Sequence, residues 1–133
     1  MNDRKQGRSL EVPGVSHGNA PIPMGARVGN VIYSSGIMGK DPATDTLPPG
    51  VEDQVRFAYD NLLTLLKAGG ATTDDLVRLT VYIRDDAARA PINAHWLRLF
   101  PDPHDRPARH TLKYDLPNGM LVQFEAVAVI RGA

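Results

Sequence analysis

The chain has 133 residues, 42% of them hydrophobic and 23% charged, with 15 basic and 15 acidic side chains that leave zero formal net charge. That length fits one domain spanning residues 1–133, and the charge balance argues against a nucleic-acid or anionic-membrane partner. The absence of cysteine excludes disulfides, thiol nucleophiles and thiolate metal sites. No apolar run is long enough to span a bilayer and Met1 to Leu10 lacks a signal-peptide core, so a cytoplasmic protein is expected.

Residues 1–10 are polar and are expected to be disordered. Pro13, Gly14, Pro21, Pro23 and Gly25 make an extended, turn-rich entry. Arg27 to Ser35 reads as the end of one strand, a Gly29-Asn30 turn, and a second strand from Val31. Gly36 and Gly39 flank Ile37-Met38. Lys40 to Gly50 carries three prolines and reads as a loop. Val51 to Ala68 is the clearest helix: Val51, Val55, Ala58, Tyr59, Leu62 and Leu66 recur every three or four residues. Glu52 and Asp53 suit its positive end, and Gly69-Gly70 stop it.

Leu76 to Ile83 is rich in β-branched residues, with Leu79, Val81 and Ile83 on one strand face. A second helix is expected from about Ala90 to Phe100, with Pro91 in its first turn and Ile92, Trp96, Leu99 and Phe100 on its apolar side. Arg109 to Tyr114 and Met120 to Ile130 read as the last strands. The order β, β, α, β, α, β, β predicts an α+β fold, a mixed sheet with two helices on one face. Several strands are apolar on both sides of the pleat and need a second cover, so an oligomer is expected.

Three residues near the C-terminus suggest chemistry. Arg109 follows Pro107-Ala108 and offers a planar two-pronged donor suited to a carboxylate. Gln123 and Glu125 are two residues apart and leave the same face of their strand. A glutamine can orient water but cannot take a proton from it. Glu125 either supplies the base or pairs with an arginine across a subunit interface, and the ion pair is the favoured reading. His17, His95, His104 and His110 lack metal-ligand spacing, so no metal site is expected. Ser34 and Ser35 lack a nucleophile elbow, and there is no glycine-rich phosphate loop, so no cofactor is expected.

The ordered set Val28-Gly29-Asn30-Val31-Ile32-Tyr33-Ser34-Ser35-Gly36, Gln54, Asn61-Leu62, Ala68-Gly69-Gly70, Thr80-Val81-Tyr82-Ile83, Ile92-Asn93, Pro107-Ala108-Arg109, Leu116-Pro117 and Glu125-Ala126-Val127-Ala128-Val129 resembles the RidA/YjgF/UK114 family of enamine and imine deaminases. The resemblance covers roughly residues 25–130. It implies a chorismate-mutase-like protomer in a homotrimer whose sheets line a central barrel, with a ligand site at each subunit interface. It assigns Arg109 to a substrate carboxylate, and Ser35 and Asn93 to the pocket. Four features depart from the family pattern. Gln123 stands where the water-handling glutamate is expected, Ile22 where a tyrosine is, and Thr111 where a thiol is. The stretch from Arg109 to Leu116 is also one residue short.

The implied reaction is hydrolysis of a carboxylate-bearing enamine or imine, of the 2-aminoacrylate or 2-iminopropanoate type, to ammonia and a 2-oxo acid. Arg109 and Gln123 are its catalytic candidates; Arg109, Ser35, Asn93, Thr111, Glu125 and Ile22 are its substrate-binding ones. The glutamine leaves a second reading, a non-catalytic binder or sensor of small carboxylates on the same fold. RNA cleavage, also associated with the family, is disfavoured by zero net charge and the lack of a basic, aromatic-interleaved stripe.

Overall fold

The computed structural model describes residues 7–132. Its elements are β1 Ser9–Leu10, β2 Gly25–Val28, β3 Val31–Ser34, β4 Ile37–Met38, α1 Val51–Ala68, β5 Leu76–Ile83, α2 Arg89–Leu99, β6 Ala108–Lys113 and β7 Val122–Val129. The strands form one seven-stranded sheet in the order β1-β2-β3-β7-β5-β6, with β4 also on β7. β5 and β6 run parallel and the other pairs antiparallel, so the sheet is mixed, as the element order predicts.

α1 has the bounds its periodicity predicts. Its acidic first turn and Lys67 in the last match the helix dipole. Gly70 closes it at φ 81°, the left-handed geometry that glycine reaches without a Cβ penalty. The Ala71 amide then reaches back to the Leu66 carbonyl at 2.8 Å. α2 begins and ends one residue earlier than expected, with Pro91 in its first turn. Both helices pack on the sheet face that carries Leu79, Val81, Phe124 and Ala126. Tyr59 of α1 meets the Phe124 ring edge-on at 4.9 Å and stacks on His95 of α2 at 5.1 Å. The opposite face leaves Tyr33, Val77 and Val129 exposed, which is the uncovered side the two-faced apolar strands predict.

Two short strands are additions to the expected order. Ser9–Leu10 falls in the segment expected to be disordered, yet it pairs with Gly25 and Ala26, and Leu10 packs on the core. Those backbone bonds and that contact outweigh the polar surroundings; residues 1–6 lie outside the described residues. β4 pairs Ile37 with Phe124 and Met38 with Gln123. Two acidic side chains act as caps. Asp75 accepts from the Thr72 and Arg131 amides, and Asp85 from the Ala87 amide.

Gln54 shows how a buried polar side chain can hold loops together. It is 1% exposed, donates to the Pro48 and Gly119 carbonyls at 2.8 and 3.0 Å, and accepts from the Leu121 amide at 2.8 Å. Gln54→Leu strands three backbone groups at once. The expected cost is about 2–5 kcal/mol, read as a lower urea midpoint with an unchanged slope.

Candidate functional site

β6 is the edge strand beside β5, and Arg109 pairs with the buried Leu79. Cross-strand partners share a face, so Arg109 points to the helix side. There α2 receives it. Its guanidinium carbon lies 4.9 Å from the Trp96 ring centroid, and its Nη2 donates to Asn93 Oδ1 at 2.7 Å. Asn93 and Trp96 are three residues apart and so share one helix face. A guanidinium over an indole contributes about 0.5–2 kcal/mol, according to its desolvation. Among the described residues, Arg109 Nη1 is buried without a hydrogen-bond partner. A buried unpaired donor carries a cost that an acceptor would remove.

Tyr59 lies close by and donates its hydroxyl to the Ile92 carbonyl at 3.0 Å. Burial holds that hydroxyl far above the ordinary tyrosine range, with the Arg109 charge working against it. Tyr59 therefore stays neutral beside the cation. Thr111 pairs with Val81, two residues along the same face of β6, and is half-buried. Arg109, Asn93, Thr111, Trp96 and Tyr59 make one cluster.

Gln123 belongs to a second cluster. It pairs with Tyr82 and Met38 and, adjacent to the buried Phe124, leaves the uncovered face. Its Nε2 lies 3.9 Å from Met120 Sδ. Gly36 abuts it so closely that a Cβ there would stand 2.5 Å from Gln123 Nε2, so a larger residue would push that amide aside. The Gly36 carbonyl accepts a hydrogen bond from His17 Nε2 at 2.8 Å. Ser35 donates its hydroxyl to the Pro23 carbonyl at 2.7 Å, which places it beside Ile22, half exposed one residue earlier. Glu125 shares the Gln123 face, is exposed, and accepts from the Tyr82 hydroxyl at 3.1 Å. That bond raises the Tyr82 pKa.

One protomer does not bring the two clusters together. Arg109 is in register with Leu79 and Ala126, whereas Gln123 is in register with Tyr82 and Leu112. The two positions are about 10 Å apart across two strand spacings and about 10 Å along the strands, on opposite faces. A surface hollow lined by Arg8, Leu10, Arg27 and Lys67 shares no residue with either cluster. No group of three His, Asp or Glu among the described residues could hold a metal. Sequence reasoning passed over Trp96, seen only on the apolar side of α2, and His17, weighed only as a metal ligand. The i, i+3 spacing of Asn93 and Trp96 was the available signal.

Ser16, the residue before His17, is held by a charged clamp. Ser16 donates its amide and its hydroxyl to Asp45 at 3.0 and 2.6 Å. Lys40 Nζ lies 3.2 Å from the same carboxylate and donates to the Ser16 carbonyl at 2.8 Å. The Ser16 hydroxyl lowers the Asp45 pKa most, against a smaller opposing effect of burial, and Lys40 adds to the lowering. A lowered carboxyl pKa stabilises the fold above the unfolded value of about 4, and that contribution is lost as pH falls through the folded value. Asp45→Asn is accordingly expected to flatten the acid limb of the melting temperature against pH. An unchanged acid limb would show the clamp to be inert.

The family model described as Endoribonuclease L-PSP matches residues 20–130. A 2-iminobutanoate/2-iminopropanoate deaminase of Escherichia coli is 32% identical over 113 residues, covering 84% of this chain and 88% of that protein. A RutC family protein of Pyrococcus horikoshii is 31% identical over 117 residues, covering 83% and 91%. The crystal structure of the E. coli YjgF gene product superposes with a TM-score of 0.81 at 28% identity, covering 93% of this chain and 99% of that one. E. coli TdcF with bound serine gives 0.81 at 27% identity, covering 92% and 98%. The matched span runs from the turn-rich entry through β7 and takes in both clusters apart from His17, and the chain belongs to the RidA/YjgF family.

Proposed function

We propose that the chain is a hydrolytic deaminase of reactive enamines and imines that carry a carboxylate, of the 2-aminoacrylate and 2-iminopropanoate class. It works in the cytoplasm as a homotrimer with a site at each subunit interface. The observation that carries the reading is the Arg109 guanidinium, oriented by Trp96 and Asn93 with one donor left unpaired among the described residues. A substrate carboxylate supplies the missing acceptor, and a charge-assisted fork of this kind is strong and directional. The opposed placement of Arg109 and Gln123 on the sheet supports an interface site, because a second protomer is the simplest source of the other half. The exposed apolar side chains on the uncovered face support the same arrangement.

In this reading Arg109 fixes the carboxylate, while Asn93, Thr111, Ser35 and Ile22 shape the pocket. The enamine tautomerises to the imine and water adds to the imine carbon. The proton lost from water passes to the substrate nitrogen. The hydroxyl proton of the resulting carbinolamine then passes to the nitrogen as the C–N bond breaks, so that ammonia leaves and the carbon becomes the carbonyl of a 2-oxo acid. Gln123 orients the water through its amide, and the basic nitrogen of the substrate replaces a protein base. Imines hydrolyse readily, so positioning supplies much of the required acceleration. Glu125 pairs with a cation across the interface and borders the site. The reaction needs neither metal nor cofactor. Nuclease chemistry gains no support from a chain of zero net charge.

The test is ammonia and 2-oxo acid release from freshly generated 2-aminoacrylate. Release well above the spontaneous rate is expected, and release at the spontaneous rate overturns the reading. Gln123 specifically favours one second reading, a carboxylate binder without turnover. Saturable binding of 2-oxobutanoate with no ammonia release would select it.

A further inference from the structure

We infer that His17 is a positioning residue for the water-handling half of the site, acting through the Gly36 carbonyl. The inference rests on the deaminase reading above and adds a residue to it. A carbonyl only accepts, so the 2.8 Å contact places the proton on His17 Nε2. Gly36 is wedged between two side chains. Its carbonyl takes the His17 N–H, and its α-carbon stands against the Gln123 amide, which a methyl there would displace. A carbonyl has two acceptor positions. With one occupied by His17, the other accepts, in this inference, from the water that Gln123 orients.

Gln123 lacks the negative charge that a glutamate would use to align that water. A locked neighbouring acceptor is a substitute that a neutral site requires. The clamp of Asp45 and Lys40 on Ser16 fixes the backbone immediately before the histidine. His17 Nδ1 is buried and unpartnered among the described residues. A ring placed only for packing gains nothing from an unsatisfied buried nitrogen.

Two variants test this. His17→Leu removes the donor, whereas His17→Gln keeps an N–H near the Nε2 position. His17→Leu is expected to lower kcat about 10-fold with KM nearly unchanged, the signature of an interaction made in the transition state. His17→Gln is expected to recover kcat to within about threefold. Unchanged kcat in His17→Leu, or equal losses in both variants, overturns the inference. A second measurement does not depend on turnover. The ring nitrogens of 15N-labelled protein should show His17 as the Nε2–H tautomer, with its Nε2 resonance moving when 2-oxobutanoate saturates the site. An unmoved resonance at saturation overturns the inference. If the wild-type protein releases no ammonia, the deaminase reading fails, and the nitrogen resonances alone decide the role of His17.

Discussion

Arg109→Ala is expected to weaken binding of a small 2-oxo acid by about 100-fold or more, because truncating one partner of a desolvated, hydrogen-bonded charge pair costs about 2–5 kcal/mol. Isothermal titration with 2-oxobutanoate reads it directly. The fold should survive the change. Arg109 sits on an edge strand, its acceptor Asn93 is exposed and can turn to water, and the unpaired buried nitrogen disappears with the side chain. The loss of the Trp96 contact, about 1 kcal/mol, bounds the penalty. Arg109→Lys is the sharper variant. It keeps the charge but offers a point donor on a flexible stem in place of a planar fork. If the fork matters, lysine recovers little; if only charge matters, it recovers most of the affinity. Unchanged affinity in Arg109→Ala would remove Arg109 from the site altogether.

The sequence foretold the elements whose neighbours along the chain decide them. α1 was legible to the residue because its apolar stripe, acidic first turn and glycine stop all agree. β5 was legible because Leu79, Val81 and Ile83 alternate in a β-branched run. β1 and β4 were not. Each has two residues and exists because a longer strand lies beside it. The candidate site divides in the same way. Arg109 and Gln123 stand out by residue type, but their opposed placement follows from the register of β6 and β7 against β5, and no local pattern encodes that register. The Trp96 platform and the His17 contact to Gly36 join residues 13 and 19 positions apart, beyond the reach of helix or strand periodicity.

Gln123→Glu is expected to raise kcat for 2-aminoacrylate about 100-fold, within the range a positioned general base contributes. The position suits the change. Gln123 is half-buried on the uncovered face, so a carboxylate there keeps some water and avoids the full desolvation penalty. The side chain has nearly the same shape, so the Gly36 contact survives. The lost amide contact to Met120 sulfur, 3.9 Å long, was weak. The pH profile distinguishes base catalysis from better packing. A glutamine does not titrate, so the wild-type rate should carry no acid limb from this position. The introduced carboxylate adds one, with activity falling as pH drops through its pKa. That pKa lies above the ordinary value of about 4.3, because Glu125 stands two residues away on the same face and like charges disfavour ionisation. Adding Glu125→Gln should therefore move the acid limb down in pH. A variant that still binds 2-oxobutanoate but gains no rate would show that a missing base does not limit this site, and would shift attention to how the substrate nitrogen is protonated.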